Sequence, residues 1–140
     1  MLRNKMSLKF SALSQNEAFA RLAVASFCSS ENFDIEEISD IKTAVSEAVT
    51  NSIVHGYDSK TGDVEIECLI YDEHVEIIVK DFGIGIEDIN QAMSPFFTTK
   101  PDLERSGMGF TVMEGFMDKI EVTSKKGEGT KVVLIKKIKK

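Results

Sequence analysis

Two periods of apolar and polar residues alternate along this chain of 140 residues, and each change of period marks an element. The opening stretch KMSLKFSAL alternates by twos and predicts a strand. Ser14-Gln-Asn-Glu17 then has the form of a capping box, with Ser14 as N-cap and Glu17 reaching back. A first helix is expected from Gln15 to Cys28, with Phe19, Leu22, Ala23 and Phe27 on its apolar stripe. Asp34 and Glu37 repeat the capping signal before a second helix rich in Ile38, Ile41, Ala44, Val45, Ala48, Val49 and Ile53, which ends at Gly56. After the polar loop YDSKTGD the period returns to two. Asp63–Tyr71 and His74–Asp81 read as a hairpin across Asp72-Glu73. A short helix around Glu87–Ala92 is expected next. Residues 94–106 hold both prolines and no clean period, so they read as a long loop, a feature usually kept for function. Gly107 and Gly109 open a third helix, with Phe110, Met113 and Phe116 or Met117 inward, and Lys119–Ser124 and Thr130–Ile138 form a second hairpin across KKGEG. Helices interleaved with hairpins imply an α+β fold: one domain, residues 1–140, built as a two-layer α/β sandwich with helices on one face of a mixed, mostly antiparallel sheet.

Composition narrows the function. Hydrophobic residues make up 42% and charged residues 29%, the balance of a globular domain. The formal net charge of −6 argues against direct nucleic-acid binding, which normally needs a basic face, but not against a nucleotide held by backbone N–H groups and a metal. Cys28 and Cys68 have no CxxC partner, so neither a zinc site nor a redox motif is expected and both should be free thiols. The N-terminus lacks the apolar core of a signal peptide and no apolar run is long enough to span a bilayer, so a cytoplasmic protein without membrane contact is expected. The terminal KKIKK reads as a solvated, partly frayed tail.

The chemistry concentrates in a few motifs. In SEAVTNSIVHGY, Glu47, Asn51 and His55 are spaced by four, about one helical turn or roughly 6 Å of rise, so they are expected on one face. A carboxylate one turn from a carboxamide offers a base beside a neutral oxygen ligand, which suits a magnesium–phosphate group near a nucleophile. His55, next to Gly56, is more simply a partner for the last helical carbonyls. In DFGIGI, Asp81 ends a strand and could accept a hydrogen bond from an adenine amine, while Gly83 and Gly85 let a flat ligand approach; alone, the motif is an ordinary turn. In ERSGMGF, two glycines at a helix start make an anion site, with Arg105 placed to neutralise a terminal phosphate. Neither segment matches the dinucleotide or P-loop fingerprints. Thr98, Thr99 and Lys100 lie in the long loop, where closure over a nucleotide would exclude water. Thr130 follows Gly129 at a strand start and is a plain strand residue unless it backs the base pocket.

Taken in order, ExxxN on a helix, DxGxG after a strand, a long loop, GxG before a helix and GT before a strand, the chain resembles the adenine-nucleotide-binding superfamily of gyrase-type topoisomerases, Hsp90 chaperones, histidine kinases and MutL proteins over about residues 36–135. The wording SEAVTNSIVHGY, FTTKP and ERSGMGF is most similar to the bacterial anti-sigma factor serine kinases, those of sporulation above all, with the likeness running over nearly the whole chain. The resemblance implies the ATP-binding fold of that superfamily, with Asn51 holding Mg2+ across the phosphates and Glu47 as the general base for a serine hydroxyl. It implies Asp81 reading adenine with Thr130 in support, and Gly83 and Gly85 shaping the base pocket. Thr98, Thr99 and Arg105 would belong to the ATP lid, and Ser106, Gly107, Met108, Gly109 and Phe110 would wrap the phosphates. It further implies an anti-sigma factor that blocks a sporulation sigma factor of the F type, phosphorylates a serine of its anti-anti-sigma antagonist from Mg-ATP with ADP as product, and forms a homodimer. Arg21, on the first helix, would lie on the partner surface, though a solvated arginine is the plainer reading. Three alternatives stay open: a stress-response anti-sigma kinase, a nucleotide-gated binding module without turnover, and a histidine-kinase catalytic domain. Glu47 weighs against the last, because an imidazole nucleophile needs no strong base and a serine hydroxyl benefits from one.

Overall fold

The computed structural model describes residues 1–56, 62–85 and 109–139. Five strands, β1 (Leu2–Ser11), β2 (Asp63–Tyr71), β3 (His74–Asp81), β4 (Lys119–Lys125) and β5 (Gly129–Lys137), form one sheet in the order β1-β2-β3-β5-β4. All four pairings are antiparallel, so among the described residues the sheet has no parallel component and is simpler than the mixed sheet expected. Three helices, α1 (Asn16–Cys28), α2 (Ile35–Asn51) and α3 (Gly109–Phe116), complete the α+β sandwich.

Period-two alternation sets the register. Met6, Leu8 and Phe10 of β1 lie opposite Cys68, Ile66 and Val64 of β2, which in turn oppose Ile77, Val79 and Asp81 of β3. Leu134 and Val132 of β5 extend these rows to Ile120 and Val122 of β4. A slip of one residue would turn every one of these side chains to the other face, so burial of this face fixes the pairing. The rows form one core with Ile41, Ala44, Val45, Ala48 and Val49 of α2, Ala20, Val24 and Cys28 of α1, and Phe110, Met113 and Met117 from α3 and its exit. Met117, not the partly exposed Phe116, fills the last inward position. α2 is central, packing against α1 on one side and α3 on the other.

The second helix starts as its sequence requires. The Asp34 carboxylate accepts from Glu37 N at 2.8 Å and Glu37 Oε1 accepts from Asp34 N at 3.1 Å, a reciprocal capping box. α1 does not. Its N-cap is Gln15 with no side-chain cap bond, because the Glu17 carboxylate is taken by Ser46 of α2 and by Arg21 at 3.4 Å. Of the stripe expected on α1, Phe27 packs against the core and Ala23 is partly buried, but the other half faces out. Small residues Ala20, Val24, Ala25 and Cys28 go inward, while Phe19 and Leu22 are 55% and 54% exposed. Small side chains let α1 lie close on α2, and the larger apolar residues are left outside.

The C-terminal segment is anchored rather than frayed. Ile138 packs against the core, Asn32 Nδ2 donates to Lys139 O at 3.0 Å, and Lys139 Nζ reaches Asp34 at 3.0 Å and Glu37 at 3.5 Å. Both cysteines are free and fully buried, and burial pushes the Cys28 thiol up to about 12 and the Cys68 thiol higher still, so neither is a nucleophile. No described helix is long and apolar enough to cross a membrane.

Candidate functional site

The inward row of β3 runs Val75, Ile77, Val79 and then Asp81, so strand alternation carries a carboxylate onto the helix side of the sheet. Asp81 is 3% exposed. Its Oδ1 accepts from Gly83 N at 3.0 Å and from Thr130 N at 3.3 Å, and its side chain also bonds to Ser52. Burial raises the Asp81 carboxyl above the ordinary carboxylate range, and these three hydrogen bonds pull the other way. The bonds from two strand ends and a helix end fix the carboxylate in one orientation, which is what a group reading a single amine requires.

The turn after Asp81 is closed from above by the β4–β5 hairpin. Gly127 N donates to Ile84 O at 2.7 Å. A Cβ on Gly85 would strike Lys125 O and lie 2.8 Å from Lys125 C, and one on Gly129 would strike Asp81 O and lie 2.7 Å from Phe82 Cα. The two glycines therefore permit a backbone approach that no other residue would allow. Thr130 Oγ1 lies 2.8 Å from Ser124 Oγ, which donates to Gly129 O at 3.0 Å. Thr130 thus serves Asp81 through its backbone N–H, and its hydroxyl braces the hairpin.

α2 ends at Asn51, and Ser52–Gly56 continue as a π-helical turn. Glu47 and Asn51 keep the four-residue spacing inside the α-helix, one turn apart. His55 falls in the π segment, beyond the end of the α-helix that carries the other two. π-turns within α-helices often mark functional sites. Here the turn begins with Ser52, 4% exposed and bonded to Asp81, so the end of α2 that carries Glu47 and Asn51 is tied to the carboxylate at the end of β3. Ser52 escaped the motif reading. Its signal was a serine in the position where the buried stripe Ile41, Val45, Ala48 would continue.

The described part of the site comprises Glu47 and Asn51 of α2, Asp81 at the end of β3, Gly83 and Gly85 in the turn after it, and Gly129 and Thr130 of β5, with Asp81 bonded to Ser52, Gly83 and Thr130. Gly109 begins α3, as expected. Phe110 is buried in the core, which leaves only its backbone, in the first helical turn, to face a ligand. Thr98, Thr99, Lys100, Arg105, Ser106, Gly107 and Met108, together with the expected helix around Glu87–Ala92 and the long loop, lie outside the described residues. Arg21 is half-exposed on α1, paired with Glu17, and its Nε is buried without a partner among the described residues.

The donor set suits a magnesium-bound adenine nucleotide: an anchored carboxylate beside a glycine-lined approach at one end of the site, and a carboxylate–carboxamide pair one turn apart at the other. Among the described residues no group of three or more His, Cys, Asp or Glu side chains could hold a metal ion.

Residues 10–136 match the model of the histidine kinase-like ATPase domain. The chain is 58% identical over 140 residues to the anti-sigma F factor of Clostridium novyi, covering 99% of this chain and 98% of that one. It is 61% identical over 137 residues to the anti-sigma F factor of Clostridium acetobutylicum (98% and 96% covered) and 51% identical over 140 residues to that of Oceanobacillus iheyensis (99% and 96%). Among solved structures, the RsbU and RsbW domains of a Mycobacterium tuberculosis protein superpose with a TM-score of 0.68 at 18% identity, over 97% of this chain and 32% of that one, a likeness of fold.

Proposed function

This chain belongs to the histidine kinase-like ATPase family, in the company of the anti-sigma F factors, and on that premise we propose that it binds and inhibits a sporulation sigma factor of the F type and uses Mg-ATP to phosphorylate a serine of the anti-anti-sigma protein that opposes it. The observation that carries the reading is the link from Asp81 through Ser52 to the helix end bearing Asn51 and Glu47, since it sets a base-reading group and a phosphate-facing pair in one frame. Identities of 51–61% to anti-sigma F factors favour the sporulation role over a stress-response one.

In this mechanism Asp81 accepts a hydrogen bond from the adenine amine. Asn51 would contribute a neutral oxygen to Mg2+, which when bound would supply charge stabilisation to the phosphate oxygens. Glu47 takes the proton of the incoming serine hydroxyl as its oxygen bonds to the γ-phosphorus, and ADP leaves. In the same reading the backbone N–H groups from Ser106 to Phe110 would meet the phosphates, with Thr98, Thr99 and Arg105 as residues of the ATP lid. Partners meet the molecule at α1, which carries the exposed Phe19 and Leu22 and the half-exposed Arg21. A second copy of the chain completes a homodimer, an arrangement helped by the outer edge of β1, which no other described strand covers. Regulation of a sigma factor places the protein in the cytoplasm.

Glu47→Gln tests the chemistry. Transfer to the partner should fall by about 10²–10⁴-fold while ATP binding persists. Unchanged transfer would remove Glu47 from the mechanism.

A further inference from the structure

Two inward-facing strand rows end in a charge where the alternation calls for an apolar residue. The β3 row ends in Asp81, which the nucleotide site explains. The β5 row runs Val132, Leu134, Lys136, and Lys136 is 9% exposed with no role in that site. Its Nζ donates to Phe116 O at 2.6 Å and lies 3.6 Å from Asp40 Oδ2. Phe116 is the last residue of α3, and Asp40 is on α2 two turns before Glu47. One ammonium thus joins β5, α2 and α3.

We propose that Lys136 is a positioning residue, which sets the spacing of α3 against α2 and so the placement of the phosphate-binding entry to α3 relative to Glu47 and Asn51; the proposal rests on the ATP reading above.

Three observations support it. α3 has no basic residue in its last turn, so the cation that complements its C-terminal carbonyls comes from β5 instead. The same helix exit is clamped to β5 twice more, by Asp118 N to Ile135 O at 2.9 Å and by Lys137 N to Asp118 Oδ2 at 2.7 Å, so Lys136 belongs to a built junction. Finally, a buried ion pair is a poor source of stability, because hydrophobic residues of similar size commonly replace one at no cost. Placing a lysine here is better explained by the geometry it imposes. α3 is eight residues long, and it begins at Gly109. A shift at its C-terminal end is carried as a rigid body to the other.

The test separates positioning from stability by comparing two probes. Adenosine reports the Asp81 end, and Mg-ATP reports both ends. Lys136→Met keeps length and loses charge. Its thermal midpoint without nucleotide should fall, because Asp40 and the Phe116 carbonyl lose their partner, while its adenosine affinity stays unchanged. Its Mg-ATP affinity should fall on the order of tenfold, so that the ATP-to-adenosine preference collapses. Lys136→Arg, a cation able to reach both partners, should recover part of that preference. An unchanged preference in Lys136→Met, or equal losses for both probes, overturns the proposal. Should Lys136→Met fail to fold, Asp40→Asn carries the same comparison, and an unchanged preference there overturns it equally. A native chain that binds neither probe overturns the ATP reading and this inference with it, and is recognised because the native control itself fails.

Discussion

Gly127 and Gly129 sit two residues apart in the β4–β5 hairpin, both with positive φ, +83° and +100°. Alanine at either position meets the same backbone penalty, about 1–2 kcal/mol for an L-residue in the left-handed region. Their surroundings differ. A Cβ on Gly127 meets nothing within 4 Å, whereas one on Gly129 strikes Asp81 O and lies 2.8 Å from Asp81 C. The obstacle is backbone, so β5 must move off β3, and the bond from Thr130 N to Asp81, already 3.3 Å, is the first to break. A hydrogen bond to a charged acceptor contributes about 1.5–3 kcal/mol, so Gly129→Ala should cost about 2.5–5 kcal/mol in all and Gly127→Ala about 1–2. Urea denaturation measures both, with an unchanged m-value confirming that native stability is what moved. ATP affinity, read by calorimetry, should stay within about threefold of native in Gly127→Ala and fall beyond tenfold in Gly129→Ala, because the Asp81 carboxylate is displaced. Equal losses of stability in the two variants, or native ATP affinity in Gly129→Ala, would refute the steric argument.

Other outcomes follow from single residues. The folded-state pKa of Asp81 is raised by burial, so its favourable contribution to folding is present below the ordinary carboxylate range and is lost as pH rises through the folded value. Asp81→Asn should therefore be at least as stable as native at neutral pH, with the difference shrinking in acid, while adenine binding weakens; a destabilised variant with native affinity contradicts this. The Asp34 pKa is lowered, first by the Glu37 backbone bond and then by Lys139, so its contribution is present above the ordinary value and lost as pH falls through the depressed one. Asp34→Ala should lower the thermal midpoint at neutral pH, and the gap from native should close in acid. Gly115, exposed in α3 with no atom within 4 Å of a Cβ and an ordinary φ, should accept alanine with a gain of roughly 0.5–1 kcal/mol in urea denaturation. A loss there would mean that α3 is not the helix described.

The hairpins were legible almost to the residue. In Asp63–Tyr71 and His74–Asp81 strict alternation meets a two-residue connection, and both signals are local. The Asp34 cap was legible for the same reason. α1 was not, because apolar residues lie around most of its circumference. The choice between the Phe19–Leu22 side and the Ala20–Val24 side is made by how closely α2 can approach, which no local pattern records. The Ser14 cap failed because Glu17 finds partners on α2, 29 residues away in sequence for Ser46. The π-turn at Ser52 changes the register without changing composition, so no local spacing rule records it. The tail was misread because KKIKK shows its charge and hides its alternation: Lys136 and Ile138 point inward, and Lys139 finds the carboxylates at the start of α2.

The central claim is transfer of a phosphoryl group from ATP to a serine on a partner with Glu47 as base. The most direct measurement mixes the chain, γ-labelled Mg-ATP and a candidate anti-anti-sigma protein, and identifies the labelled residue. The account predicts an acid-stable label on one partner serine, lost with Glu47→Gln although ATP still binds. An acid-labile, base-stable label on histidine, or no label while ATP binds and the partner associates, would contradict it.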